Sequence, residues 1–168
     1  MKKLSLLILA LFCFTACSEE PSPSITADLL ESREAWGNFK KEHANTYSFT
    51  STTSSFTSLQ TASTLIVSNG VVIRKDYYAQ YRDDNGDLVE ERFQETGGDI
   101  GLSPKGIRPM TMDEIYDLAE TEWLKPEVPA EVFFEVDHLG ILSKAGYQAE
   151  GCIDDCFKGI TIEKITAL

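Results

Sequence analysis

Apolar residues recur first at helical spacing. Between Ile25 and His43, the side chains of Leu29, Trp36, Phe39 and His43 fall near one face, and Glu31, Arg33, Glu34, Lys40 and Lys41 take the other. Asp28 and Glu31 suit a first turn. The spacing predicts a one-sided helix over 25–43 that must lie against something. From Tyr47 the period falls to two. "YSFTSTTSSF" alternates Tyr47 and Phe49 with hydroxyl residues, as an exposed antiparallel strand would. In "STLIVSNGVVIRKDYYAQY" two β-branched runs flank Asn69-Gly70, a pair that fits a type I′ hairpin turn. "YRDDNGDLVEERFQ" predicts another turn at Asp84 to Asp87, and residues 97–110, with four glycines and two prolines, predict an irregular connection.

Helical spacing returns in "TMDEIYDLAETEWLKP". Thr111 and Glu114 make a capping box, Ile115, Leu118 and Trp123-Leu124 supply an apolar face, and Pro126 follows the end. "EVFFEVDHLGILSKAGYQ" predicts a hairpin turning near His138 to Gly140, and "FKGITIEKI" a last strand. Connections of hairpin size favour an antiparallel arrangement. The expected class is α+β: a sheet of about six to seven strands with two helices packed on it.

The N-terminus changes where this domain is expected to be. Lys2 and Lys3 precede an apolar run of eleven residues, Leu4 to Phe14, too short to span a bilayer as a helix but right for a secretory leader. Phe14-Thr15-Ala16-Cys17 resembles the bacterial lipobox, where cleavage leaves a cysteine that carries acyl chains. Residues 1–16 are therefore expected to be a lipoprotein signal peptide, Cys17 to be lipidated, 17–24 to be a Pro/Ser-rich tether, and 25–168 to form one domain. Acyl chains on Cys17 would anchor firmly, each buried methylene adding about 0.8 kcal/mol. Ser18, rather than Asp, resembles an outer-membrane address in Gram-negative lipoproteins, with the domain facing the periplasm.

Charge narrows the partners. The chain carries −12, and loss of Lys2 and Lys3 with the leader takes it to −14. That excess of acid disfavours nucleic acid, whose phosphates need Lys and Arg, and disfavours a second electrostatic hold on an anionic membrane. An acidic surface suits a basic partner and keeps a protein in solution.

Beyond the lipobox, several short motifs resemble a family of small uncharacterised bacterial lipoproteins classed as a domain of unknown function, with a helix–hairpin–helix–hairpin pattern. They are Trp36, Tyr47-Ser48-Phe49, Val67-Ser68-Asn69-Gly70-Val71-Val72, Thr111-Met112-Asp113-Glu114-Ile115-Tyr116, Val136-Asp137, Leu139-Gly140 and Asp154-Asp155. Where members often have an aromatic residue and a proline after the glycine, Ile141-Leu142 stand here. The resemblance implies a periplasm-facing domain of mixed α/β fold and no particular activity.

Candidate chemistry is sparse. Counted from Gly86, an EF-hand loop would put Tyr81 at position one and Arg92 at position twelve, so the acidic segment reads as a turn. Gly101-Leu102-Ser103-Pro104 begins like a nucleophile elbow, but proline removes the backbone N–H that an oxyanion hole needs. His43 and His138 stand at no metal-ligand spacing. No catalytic residue, metal or cofactor is assigned. Tyr77, Tyr78 and Tyr81, beside Arg74 and Lys75, are the candidate binding surface, with Tyr77 and Tyr81 on one strand face and Tyr78 on the other. Tyrosine is equally a favoured strand residue.

Cys13 leaves with the leader and Cys17 is taken by lipid, so Cys152 and Cys156 remain as a pair. In an exported chain such a pair reads most simply as a disulfide, with a metal site or free thiols as the alternatives. An extended strand would hold their Cα atoms roughly 13 Å apart, so a bond requires a turn, with Asp154 and Asp155 at its tip. The expected function is a non-catalytic, outer-membrane-anchored lipoprotein whose domain binds or supports an envelope protein. The alternatives are an inhibitor or small-ligand binder on the same scaffold, and a hydrolase.

Overall fold

In the computed structural model, residues 23–55, 59–153 and 156–168 are described. The leader, Cys17 and the tether, like Asp154 and Asp155, lie outside the described residues. Helix α1 spans Pro23–Glu42 and buries Leu29, Ser32 and Trp36. It ends because Ala44 and Asn45 both turn left-handed, at φ 50° and 53°, with the Asn45 N–H donating back to the Lys40 carbonyl at 2.9 Å.

Seven strands form one antiparallel sheet: β1 Tyr47–Ser54, β2 Gln60–Ser68, β3 Val71–Arg82, β4 Leu88–Thr96, β5 Ala130–Val136, β6 Leu142–Ala149 and β7 Phe157–Ala167. Their order is β4-β3-β2-β1-β7-β6-β5. Two meanders, β1–β4 and β5–β7, are thus joined where β7 pairs with β1. The first strand is a correction to the sequence reading. Instead of an exposed strand, β1 lies in the interior of the sheet, and its Tyr47 and Phe49 are buried. The hydroxyl residues that look like a solvent face are ladder neighbours: Thr50 bonds Thr64 at 2.9 Å and Thr53 bonds Thr61 at 2.6 Å.

The turns follow their local chemistry. Asn69 and Gly70 have φ of 50° and 79°, and Gly70 also brings its N–H to the Asn45 carbonyl at 2.9 Å. At the second turn the Asp83 carboxylate accepts from the N–H groups of Asn85 and Asp87, each at 2.9 Å. At the third, Asp137 accepts from Leu139 and Ile141.

Helix α2, Met112–Leu118, opens with both halves of the expected capping box: Glu114 N–H donates to Thr111 Oγ1, and Thr111 N–H to Glu114 Oε2 at 2.7 Å. It continues as a π-helical turn, Ala119–Trp123, closed by Leu124 N–H donating to the Ala119 carbonyl. One apolar cluster contains Leu29 and Trp36 of α1, Ile115 and Tyr116 of α2, Phe49 and Leu65 of the first meander, and Leu142 and Ile160 of the second. Two tyrosine hydroxyls stitch these parts. Tyr47 accepts from Met112 N–H at 2.9 Å, and Tyr116 accepts from Leu142 N–H at 2.9 Å while bonding Ser32. Burial raises the pKa of both phenols, that of Tyr47 strongly, so they stay protonated.

Candidate functional site

Strand alternation splits the three tyrosines, as their spacing requires. Tyr77 pairs with Phe93 and Tyr81 with Val89 on one face; Tyr78 pairs with Arg92 on the other. Tyr77 is buried: its ring stacks on Phe93 at 4.8 Å, and Gly106 of the connection between β4 and α2 lies so close that a Cβ there would stand 2.8 Å from the ring. Tyr78 is half-buried under the Arg92 guanidinium, 4.7 Å from the ring centroid. The three therefore form no single aromatic strip.

Beneath that connection lies a buried ion pair that the sequence reading missed. Lys75 and Glu95 are opposite one another on β3 and β4, and both are buried, with Lys75 Nζ 3.5 Å from Glu95 Oε2. Glu95 also accepts from the N–H groups of Gly101 at 3.0 Å and Ser103 at 2.7 Å. The Gly101 N–H above all, then the Ser103 N–H and the Lys75 ammonium, holds the Glu95 carboxyl below its ordinary value against the opposing cost of desolvation. The inward register of Lys75 with Tyr77 and Ala79 was the available signal. Since the Ser103 N–H is spent on Glu95 and its hydroxyl accepts from Lys105 N–H, this segment is a pinned loop.

The other feature is a groove of about 890 Å³ where the two meanders part. Strand β7 divides its pairing. Ile162–Ala167 pair with Tyr47–Ser51 of β1, whereas Phe157–Thr161 pair with Lys144–Gln148 of β6. At the division Glu163 is an extra residue, because Thr50 faces Lys164 and Ser51 faces Ile162. Such a bulge bends its strand. Gly146 and Gly159 face each other just beyond, and β6 and β7 approach so closely there that a Cβ on Gly159 would meet the Ala145 carbonyl at 2.1 Å. So β7 leans toward β6, and β1 runs on past Ser51 without it. The groove between them is lined by Thr52, Ser54, Tyr78, Phe157, Gly159 and Thr161 among others.

Cys152 and Cys156, between β6 and β7, are joined as a disulfide with Cα atoms 6.0 Å apart, well short of the span of an extended strand; Asp154 and Asp155, expected at the tip, lie outside the described residues. Among the described residues no group of three His, Cys, Asp or Glu is placed to hold a metal ion, and no helix is long and apolar enough to cross a membrane. His43 packs its ring on Phe39 at 4.5 Å, and His138 lies exposed in the third turn. Comparison with protein-family models, with curated proteins and with solved structures gave no match.

Proposed function

We propose that the chain is a non-catalytic lipoprotein of the bacterial outer membrane, held through acyl chains on Cys17, and that its periplasm-facing domain binds an envelope component. In this reading both helices pack on the sheet, and the chain belongs with the uncharacterised lipoproteins that its short motifs resemble. The leader and Cys17 support the address. The observation that carries the binding role is the groove between β1 and β7, whose described lining side chains are hydroxyl, amide and apolar apart from Glu163. Its volume also falls within the range of about 300–1,000 Å³ usual for small-molecule sites, which favours a small-ligand binder as the second reading.

Two experiments test the proposal. Labelling cells with a clickable fatty acid should mark the native chain and not Cys17→Ala; equal label in both sinks the anchor. Membrane pull-down after cross-linking should recover one envelope component in stoichiometric amount. Recovery of nothing above background counts against the binding role.

A further inference from the structure

We infer that the groove between β1 and β7 is a slot for an extended, uncharged peptide segment that pairs as a strand with the diverging edges; this rests on the proposed binding role. Strand pairing leaves each edge half used. Past Ser51, β1 is paired with β2, and among the described residues its other edge has no ladder partner. Before Ile162, β7 is paired with β6, and the edge that faces β1 is likewise outside any ladder. Two strand edges facing one another across a groove present backbone donors and acceptors to whatever enters, and a peptide backbone answers such rows directly. The stretch Thr52–Ser54 spans roughly 10 Å at about 3.4 Å per residue, enough for three or four residues of an inserted strand.

The lining selects the chemistry. In a chain with net charge −12, Glu163 is the one formally charged side chain among the described lining residues, so a charged segment finds little to pair with. The hydroxyls of Thr52, Ser54 and Thr161 and the side-chain-free Gly159 suit small and β-branched partners. The aromatic rings are engaged elsewhere: Tyr78 lies under Arg92, and Phe157 makes an edge contact with Phe133 at 6.0 Å beneath the Lys144 ammonium. That disfavours a sugar, which needs a free ring face to stack on.

The test uses the full chain in detergent micelles and a bead library of octapeptides built from Thr, Val, Ser, Tyr and Gly. The tightest peptide is remade with alternate amides N-methylated, and Thr52→Trp and Thr161→Trp fill the slot from either side. We expect N-methylation and each tryptophan to weaken binding at least about 10-fold. Bound peptide should slow hydrogen exchange at 52–54 and 157–161, and unchanged exchange in β2 and β3 of the variants verifies their folding. Retention of no peptide, equal binding of the N-methylated form, or displacement of the peptide by maltohexaose or chitohexaose overturns strand pairing. A photo-cross-linking residue in place of Thr52 in cells separates the two levels. An adduct there without peptide binding removes only the strand-pairing inference, and no adduct with no peptide binding removes the binding role as well.

Discussion

Replacing Glu95 by glutamine removes the counter-charge from an ammonium that is wholly out of water. Lys75 is 0% exposed, and the oxygens the structure sets around its Nζ are Glu95 Oε2 and the Ser103 carbonyl, each at 3.5 Å. Breaking one side of such a pair costs about 3–5 kcal/mol, because the remaining charge stays buried without compensation. Glutamine also keeps only one acceptor oxygen where Glu95 uses two, one for Gly101 and one for Ser103. A loss of about 4 kcal/mol lowers Tm by roughly 8–16 °C in a protein of this size. Thermal unfolding followed by circular dichroism measures it. Adding Lys75→Met to Glu95→Gln removes the orphaned ammonium, so the double variant should be more stable than Glu95→Gln alone. A cost below about 1 kcal/mol, the range of an exposed pair, would refute the argument, as would a double variant that equals the sum of the two singles.

The same residue gives a pH signature. The Glu95 carboxyl titrates lower in the folded chain than its unfolded value of about 4.3. The unfolded state therefore takes up the proton first, and the stabilisation is present above about pH 4.3 and lost as pH falls through the lower, folded value. In Glu95→Gln that part of the acid limb should flatten. A variant with an unchanged acid limb would show that other carboxylates account for it.

Tyr116→Phe leaves the buried Leu142 N–H and the Ser32 hydroxyl without the oxygen they share, and should cost about 1–3 kcal/mol in urea unfolding. Gly70→Ala places a Cβ 2.6 Å from Asn45 Nδ2 on a backbone at φ 79°, with an expected loss of about 1–2 kcal/mol; no loss would mean the α1–β1 corner is loose. Reduction of Cys152–Cys156, a separation of four, should cost only about 2 kcal/mol in the chain-entropy model, a Tm shift of a few degrees. Deleting Glu163 restores regular register between Ser51 and Ile162, so amide exchange at 52–54 should slow as β1 and β7 zip further; unchanged exchange would show that the bulge does not open the groove.

What the sequence makes legible here is what local chemistry decides. Asn69-Gly70, Asp84 to Asp87 and Thr111 to Glu114 hold the information for their own turns and cap within a few residues, and they fold as their patterns indicate. The position of β1 depends instead on Tyr47 meeting Ala167, 120 positions along the chain, and no pattern inside "YSFTSTTSSF" encodes that meeting. Lys75 and Glu95 look like solvated charges for the same reason. Only the pairing of β3 with β4 and the loop over them remove the pair from water. The Cys152–Cys156 disulfide is legible because, once two of the four cysteines are assigned to the leader and the lipid, one pair with a short separation remains.

The groove is a consequence of how unevenly the two meanders are fused. At one end of the β1–β7 ladder the fusion is tight. Leu168 N–H donates to the Thr46 carbonyl, Asn69 N–H to the Thr46 hydroxyl and Gly70 N–H to the Asn45 carbonyl, so α1, the β2–β3 turn and the C-terminus meet at one corner. At the other end, Glu163 adds a residue and Gly146 faces Gly159, so β7 turns from β1 to β6. A sheet closed at one end and parted at the other has a hydrogen-bonded base under two edges that, among the described residues, have no ladder partner. Binding there need not reorganise the core, since Tyr47, Phe49 and Ile162 lie within or below the last shared rungs. Such preorganisation reduces the ordering entropy that an inserted strand must overcome, which is why the β1–β7 fork, rather than the outer edges at β4 and β5, is where we place recognition.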